Sequence, residues 1–251
     1  MYFDAHIHSA VSPDSQMDVK VAIDTLRRQG LGATFTEHCD FPPYNFMVDF
    51  ARYESEYRPL RSDSVLMGLE LTLNEQHMAL NTQTAAGDWD FILGAVHYVD
   101  GLDLYHNANT VPAPQLTRRY LTYAKELVES CGFFDALAHI DYICRYSKGV
   151  DACLQYDNYP DEFDALLTAI AQRVLAMEIN SSRLDNARNR QVLFKIYQRY
   201  AALGGKYVTI GSDAHAAPQL GRNFNHARAI VDEAGLTAVY FRERKMYGCA
   251  N

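Results

Sequence analysis

Three features are scarce in this 251-residue sequence, and each scarcity excludes a class of protein. No run of about 18–20 consecutive apolar residues occurs, so no transmembrane helix is expected. Basic residues number 23 against 31 acidic ones, and the net charge of −8 argues against a stable nucleic-acid partner. Charged residues make up only 22% of the chain and apolar residues 48%, a balance that excludes disorder and favours a folded core.

Cysteine is also scarce, and its five positions form no Cys-x-x-Cys pair. The N-terminal residues lack a basic segment followed by a long apolar one, so no secretory signal is expected. Scattered thiols without a signal predict a cytoplasmic protein with reduced cysteines. The length suits a single domain over residues 1–251, and one α/β barrel commonly has this size.

Short β-like segments alternate with amphipathic helical segments along the whole sequence. The strand candidates cover residues 2–8, 33–38, 65–73, 91–99, 136–139, 177–180 and 207–211. Regular alternation is typical of parallel strands joined by right-handed helical crossovers. No linker and no Gly-rich phosphate-binding motif interrupts the pattern, so we expect an α/β fold closed as a seven-stranded barrel. Residues 142–160 are the longest irregular stretch and are interpreted as an inserted loop or lid.

The nine histidines are informative through their positions. In a β/α barrel the C-terminal ends of all strands converge on one face, where active sites are built. Glu70 lies in the third predicted strand, and Asp213 follows the seventh. Six histidines lie at or just after predicted strand ends: His6, His8, His38, His97, His139 and His215. The three remaining histidines are interpreted as structural or loop residues: His77, His106 and His226. Of these, His106 is also a candidate for a distant substrate contact.

Such a set of side chains is typical of a site for divalent cations. A His-x-His pair directs both rings to one face of a strand. Nitrogen and oxygen donors without cysteine favour zinc, manganese or iron. Eight or nine ligands exceed what one ion needs, so two or three ions are expected, with Glu70 as a bridging carboxylate. Clustered cations activate water and bind phosphoryl oxygens, so the pattern indicates hydrolysis of a small phosphate ester.

The same residues resemble ordered motifs of the PHP (polymerase and histidinol phosphatase) superfamily, between residues 4 and 215. Within it, residues 12–15, 36–42 and 178–181 are most similar to the histidinol-phosphatase branch. The motifs are Asp4-Ala5-His6-Ile7-His8-Ser9, Ser12-Pro13-Asp14-Ser15, Thr36-Glu37-His38, Gly68-Leu69-Glu70, Gly94-Ala95-Val96-His97, Ala138-His139-Ile140-Asp141 and Gly211-Ser212-Asp213-Ala214-His215.

The resemblance implies a distorted seven-stranded TIM-like barrel with a trinuclear metal centre that hydrolyses L-histidinol phosphate. A metal-bridging hydroxide would attack phosphorus in line, with Glu70, Asp213 and His215 as catalytic residues and the last two as candidate proton donors. The implied ligands are His6, His8, Glu70 and Asp213 for the first ion, Glu70, His97 and His139 for the second, and Asp14, His38 and His215 for the third. Three further acids are expected to orient ligand histidines rather than bind metal: Asp4, Glu37 and Asp141.

Three arginines follow strand ends and are candidates for binding the substrate phosphate: Arg145, Arg183 and Arg222. The guanidinium group matches phosphate geometry. A role as an ordinary surface arginine remains the alternative for each of them. At Arg183 the sequence departs from the histidinol-phosphatase branch, where a small residue is expected, and this departure bears on substrate preference.

Other interpretations remain open. Amidohydrolases and TatD-type deoxyribonucleases also begin with His-x-His, but no strand here ends in the lysine of the former. Residues 68–71 and 212–215 do not match the motifs of the latter. A PHP-type phosphoesterase acting on another small substrate, such as a nucleotide, would share the whole metal centre. A non-catalytic metal-binding scaffold would bind ions without turnover.

Overall fold

The computed structural model describes residues 1–42, 44–150 and 154–250. The strands in these ranges are β1 (Tyr2–Ile7), β2 (Leu31–Asp40), β3 (Phe46–Met47), β4 (Val65–Thr72), β5 (Phe91–Ala95), β6 (Tyr98–Val99), β7 (Leu102–Asp103), β8 (Ala136–Leu137), β9 (Ala176–Asn180), β10 (Tyr207–Gly211), β11 (Thr237–Arg242) and β12 (Lys245–Gly248).

The α-helices in the same ranges are α1 (Val19–Arg28), α2 (Phe50–Arg52), α3 (Met78–Ala85), α4 (Leu104–Asn107), α5 (Ala113–Ser130), α6 (Ile143–Tyr146), α7 (Pro160–Gln172), α8 (Ala187–Ala202) and α9 (Phe224–Ala234). A π-helical turn at Tyr53–Tyr57 follows α2. Short 3₁₀ helices occur at Arg58–Leu60, Glu75–His77, Ala108–Thr110, Tyr156–Asn158, Ser181–Arg183 and Ala217–Gln219. In the described part of the chain, no helix combines the length and apolar character needed to cross a bilayer.

A mostly parallel sheet forms the centre of the molecule. Its strands run in the order β1-β2-β4-β5-β8-β9-β10, all parallel to their neighbours. The sheet continues with β11 parallel to β10, β12 antiparallel to β11, and β3 antiparallel to β2. The prediction of an α/β fold with parallel strands is confirmed. The seven predicted segments correspond to the seven parallel strands from β1 to β10 in this order. Three further strands of the described residues, β3, β11 and β12, extend the sheet to ten strands.

The first and the tenth strand approach each other at their C-terminal ends. An isolated parallel bridge joins Ile7 to Ala214. There the N–H of His8 donates to the carbonyl of Ala214 (2.9 Å), and the N–H of Asp213 donates to that of His6 (2.8 Å). The other end of β10 pairs with β11. The C-terminal ends of β1 and β10 therefore meet where the predicted site lies.

The core follows from the strand and helix patterns. All eight residues of β4 are buried, as expected for a parallel strand covered on both faces. Helix α5 buries the face Leu116, Tyr120, Tyr123 and Leu127, the spacing of one side of a helix. Residues 50–60 form three consecutive helical pieces: α2, the π-helical turn and a 3₁₀ turn that contains a proline.

The segment 142–160 contains α6 and the 3₁₀ turn Tyr156–Asn158. Its centre, residues 151–153, lies outside the described residues. The interpretation of this segment as a lid therefore stays a prediction.

Candidate metal centre

Glu70 lies at the centre of the histidine cluster and is 1% exposed. Its Oε1 atom lies 2.7 Å from Nε2 of His139 and 3.2 Å from Nε2 of His97. Its Oε2 atom lies 2.9 Å from Nδ1 of His38. Nε2 atoms of two more rings lie 3.5 Å from Oε2, those of His6 and His8. Burial opposes ionisation of Glu70, but the surrounding imidazoles hold its pKa well below the ordinary value.

Asp213 joins the His-x-His pair through an unusual backbone conformation. Its φ of +53° lies in the left-handed region, which aspartate tolerates better than most residues. Oδ1 of Asp213 lies 3.5 Å from Nε2 of both His6 and His8. Gly211 allows this approach, because a Cβ atom there would lie 2.4 Å from Cβ of His6. The turn after β10 therefore brings the carboxylate against the N-terminal strand.

Asp14 reaches the opposite side of the cluster from a loop. Its Oδ2 atom lies 2.9 Å from Nε2 of His215 and 3.4 Å from Nε2 of His38. Partial burial opposes ionisation, but hydrogen bonds with the two imidazoles hold the pKa of Asp14 far below its usual range. The ring of His8 stacks on those of His38 and His215, at centroid distances of 4.0 and 4.3 Å.

The structure thus brings together all nine predicted ligand residues. Three overlapping groups have donor atoms within 4.8 Å of one another and could each hold an ion: His8, His38 and His215; His6, Glu70 and His139; His6, His8 and Asp213.

The donor atoms fit a cation better than they fit one another. Oε2 of Glu70 and Nδ1 of His38 are 2.9 Å apart and buried, yet among residues 1–42, 44–150 and 154–250 neither has a hydrogen-bond partner in acceptable geometry. Buried polar atoms in native proteins are nearly always satisfied. An array of imidazole and carboxylate groups with unsatisfied atoms between them is what nitrogen- and oxygen-binding divalent ions require.

An acid outside the expected set of Asp4, Glu37 and Asp141 contacts two of the histidines. Glu178, which the sequence analysis did not assign, lies 2.6 Å from Nδ1 of His6 and accepts the N–H of His139 at 2.7 Å. Burial would lower the pKa of His6, but the carboxylates of Glu178, Asp213 and Glu70 raise it well above its ordinary value. Glu178 precedes Asn180 by two residues on β9, so strand alternation would have identified it.

The three acids expected to orient histidines have other hydrogen-bond partners. Asp4 accepts the N–H groups of Ser212 (2.8 Å) and Gly221 (3.0 Å), and burial raises its pKa to about 6. Asp141 accepts a hydrogen bond from Arg183 at 3.1 Å. Glu37 binds the loop after β1 through the N–H of Ser9 (3.0 Å) and the hydroxyls of Ser9 and Ser12. The hydrogen bonds of Asp4 and Glu37 named here go to groups other than histidine rings, and the role of the three acids in orienting histidines stays a prediction.

The three predicted phosphate-binding arginines have different positions. Arg145 lines the cavity above the cluster, and it donates to Oδ2 of Asp213 (2.5 Å) and to Oγ of Ser182 (3.2 Å). Arg183 donates to Oδ2 of Asp141 (3.1 Å). Arg222 donates to the carbonyls of Ser212 (2.9 Å) and Asp213 (3.1 Å). The structure therefore places one of the three at the cavity wall and uses the other two to brace loops.

The cavity has a volume of about 470 Å³ and opens above the cluster. Asp40 and Asp103 add negative charge to its lining, and His106 lies at its exposed edge with Nδ1 2.7 Å from Asp103 Oδ2. A wall of aromatic side chains completes it: Tyr44, Phe46, Tyr98, Tyr105, Tyr142 and Tyr146. The cavity therefore combines a polar floor with an aromatic wall that suits an organic group.

The sheet and the buried cluster define an α/β protein with a candidate polynuclear metal centre. The PHP domain family matches residues 4–182, and this chain belongs to that family. It is 36% identical to the probable histidinol-phosphatase of Clostridium acetobutylicum, over 98% of this chain and 99% of that protein. It is 25% identical to the histidinol-phosphatase of Lactococcus lactis, over 92% and 91% of the two chains.

A solved structure shows the same fold. The crystal structure of histidinol phosphate phosphatase from Lactococcus lactis, complexed with zinc, L-histidinol and phosphate, has a TM-score of 0.89 to this chain. The two chains are 24% identical, and 98% of each is covered.

Proposed function

We propose that this chain is a metal-dependent phosphomonoesterase that hydrolyses L-histidinol phosphate to L-histidinol and phosphate, a step of histidine biosynthesis. The buried convergence of imidazoles on Glu70 carries the proposal. The full-length similarity to proteins named histidinol-phosphatase supports the choice of substrate. The proposal includes one domain over residues 1–251, closed as a distorted seven-stranded barrel and located in the cytoplasm.

We assign the ions to the converging donors. Two or three divalent ions, zinc, manganese or iron, would share Glu70 as the common carboxylate. The proposed ligands are His6, His8, Asp14, His38, Glu70, His97, His139, Asp213 and His215. When bound, such ions lower the pKa of coordinated water and neutralise charge on phosphoryl oxygens.

The side chains around the centre provide binding and orientation. Glu178 accepts Nδ1–H of His6, which leaves Nε2 facing Glu70 and Asp213. Arg145 is positioned to donate to a phosphate oxygen from the cavity wall. Glu70 and Asp213 hold negative charge at the floor. Of the two candidate proton donors to the leaving oxygen, Asp213 is held ionised, whereas His215 has a ring N–H and a side chain that is 29% exposed.

The aromatic wall fits the organic part of histidinol phosphate. That group carries an imidazole ring, which stacks on aromatic faces, and a positively charged amine. The stacked pair Tyr44 and Tyr98 and the edge contact of Tyr142 with Tyr146 supply ring surface. The carboxylates of Asp40 and Asp103 supply negative charge beside it.

A substrate panel tests the proposal. Purified protein is assayed with zinc, manganese or iron on L-histidinol phosphate, nucleoside monophosphates and p-nitrophenyl phosphate. We expect kcat/KM to be highest for L-histidinol phosphate by orders of magnitude. A flat profile or a preference for nucleotides would favour a different PHP-type phosphoesterase, and bound metal without any turnover would favour the scaffold interpretation.

A further inference from the structure

Two neighbouring strands present a second layer of polar groups behind the proposed ligands. In the parallel register of β2 and β4, His38 is opposite Glu70, and Cys39 is opposite Leu71. One residue further along each strand lie Asp40 and Thr72. Because side chains alternate along a strand, these two residues share a face with His38 and Glu70. Both are nearly buried, with 4% and 5% exposure.

Asp40 and Thr72 enclose one nitrogen of His97. The hydroxyl of Thr72 hydrogen-bonds to Oδ1 of Asp40, and its oxygen lies 2.8 Å from Nδ1 of His97. Oδ2 of Asp40 lies 3.4 Å from the same nitrogen. The other ring nitrogen, Nε2, lies 3.2 Å from Oε1 of Glu70. The ring therefore has one nitrogen in this polar pair and the other in the cluster.

We propose that Asp40 and Thr72 are a positioning pair that fixes the ring orientation and tautomer of His97 for binding a divalent cation. The inference rests on the proposed metal centre. The threonine hydroxyl has a single proton, which it donates to Oδ1 of Asp40. The hydroxyl oxygen is then an acceptor for Nδ1–H of His97. This arrangement places the free lone pair of the neutral ring on Nε2, towards Glu70.

The other rings of the cluster differ in the outer partner of Nδ1. His6 has the direct form of the same arrangement, with Glu178 at 2.6 Å from Nδ1. In His8 and His139, Nδ1 is buried and has no hydrogen-bond partner among the described residues. The ring of His6 is thus fixed directly by the carboxylate of Glu178, and that of His97 is fixed by Asp40 through the hydroxyl of Thr72. Loss of such an outer partner typically reduces metal affinity by about 10- to 100-fold.

The test compares Thr72→Val, which keeps the shape and removes the hydroxyl, with Thr72→Ser, which keeps the hydroxyl. Thr209→Val is a matched control, because Thr209 is a buried strand threonine whose hydroxyl has no hydrogen-bond partner within the described ranges. Metal-free proteins are titrated with Zn²⁺ against a chromophoric chelator. Side-chain ¹⁵N NMR of His97, recorded on the metal-free protein at a pH where the ring is neutral, reports which ring nitrogen carries the proton.

We expect Thr72→Val to weaken the affinity for one ion by about tenfold or more and to shift His97 towards a mixture of tautomers. Thr72→Ser and Thr209→Val should behave like the unchanged protein. Unchanged affinity and tautomer in Thr72→Val would overturn the inference. If Thr72→Val does not fold, Asp40→Asn is measured in the same way, with the same loss of affinity expected.

The outcome is separable from that of the proposed function. Hydrolysis of L-histidinol phosphate with normal metal affinity in Thr72→Val would leave the function standing and refute the positioning pair. Weakened metal affinity in Thr72→Val, together with no hydrolysis of L-histidinol phosphate by the unchanged protein, would support the positioning pair and refute the proposed function.

Discussion

The two ends of the central strands both contain buried acids, but the partners of those acids differ. Before β5, Asp90 is completely buried and accepts hydrogen bonds from both Nη2 (2.7 Å) and Nε (2.8 Å) of Arg61. It also accepts the N–H groups of Met67 (2.9 Å) and Glu243 (3.0 Å). This end of the sheet satisfies its carboxylates with permanently charged arginines and backbone amides.

At the opposite end, Glu70 faces imidazoles, whose charge depends on protonation. Its Oε2 atom has no hydrogen-bond partner in the part of the chain that the structure describes. A buried charge is costly unless it is fully paired. Asp90, whose hydrogen bonds are all supplied by the chain, has a structural role. Glu70, which has an unsatisfied oxygen, indicates a place for a positive charge that comes from outside the chain.

The largest expected effect comes from exchanging the two acids for amides. Glu70→Gln removes the proposed common ligand, so kcat/KM for L-histidinol phosphate should fall by more than about 10³-fold, the scale of removing a principal electrostatic group. Bound metal should fall below two ions per chain. Steady-state kinetics and elemental analysis measure both.

Asp90→Asn is the matched change at the other end. Breaking its pairing with Arg61 should lower the free energy of unfolding by about 3 kcal/mol without changing kcat of the folded protein. Activity retained in Glu70→Gln, or lost in folded Asp90→Asn, would contradict the assignment of the two ends.

The second effect is a pH dependence that metal should abolish. Burial lowers the pKa of His97, but Glu70 and Asp40 raise it to about 9 in the metal-free protein. A group with a raised folded-state pKa adds stability below its unfolded pKa of about 6.5 and loses that contribution as pH rises through the folded value. The melting temperature of metal-free protein should therefore fall between pH ~6.5 and ~9.

The metal-loaded protein should not show this fall, because ligand imidazoles are neutral and binding releases their protons. Calorimetry with and without chelator gives the comparison. A melting temperature of the metal-free protein that is constant over this range would show that the imidazoles carry no extra protons.

A smaller effect should separate the arginines. Arg145→Ala removes the guanidinium at the cavity wall, and we expect kcat/KM to fall about 10- to 100-fold, as for one charge-assisted contact of roughly 1.5–3 kcal/mol. Arg222→Ala removes a brace of the loop around Asp213 and should mainly lower stability. Equal kinetic losses in both variants would mean that Arg145 acts only by holding Asp213.

The sequence was sufficient to predict the residues that converge, because parallel strands of one sheet present their C-terminal ends at the same edge. His6, His97 and His215 could be assigned in this way. The outer partners were harder. Glu178 and Asp40 lie two residues from other polar strand residues and were detectable by alternation, whereas Asp4 adjoins the same motif but faces backbone amides. Which face a strand residue takes depends on register, which is a tertiary property.

The meeting of β1 with the turn after β10 has a consequence for biosynthesis. His6 and Asp213 are more than 200 residues apart in sequence, yet each hydrogen-bonds or contacts the other. At about 5–20 residues per second, a ribosome needs about 10–40 s to produce the second after the first. During that time His6 and His8 lack the carboxylate of Asp213, and His8 lacks the ring of His215 on which it stacks. Metal loading should therefore follow synthesis, and bound metal then marks chains that have been completed.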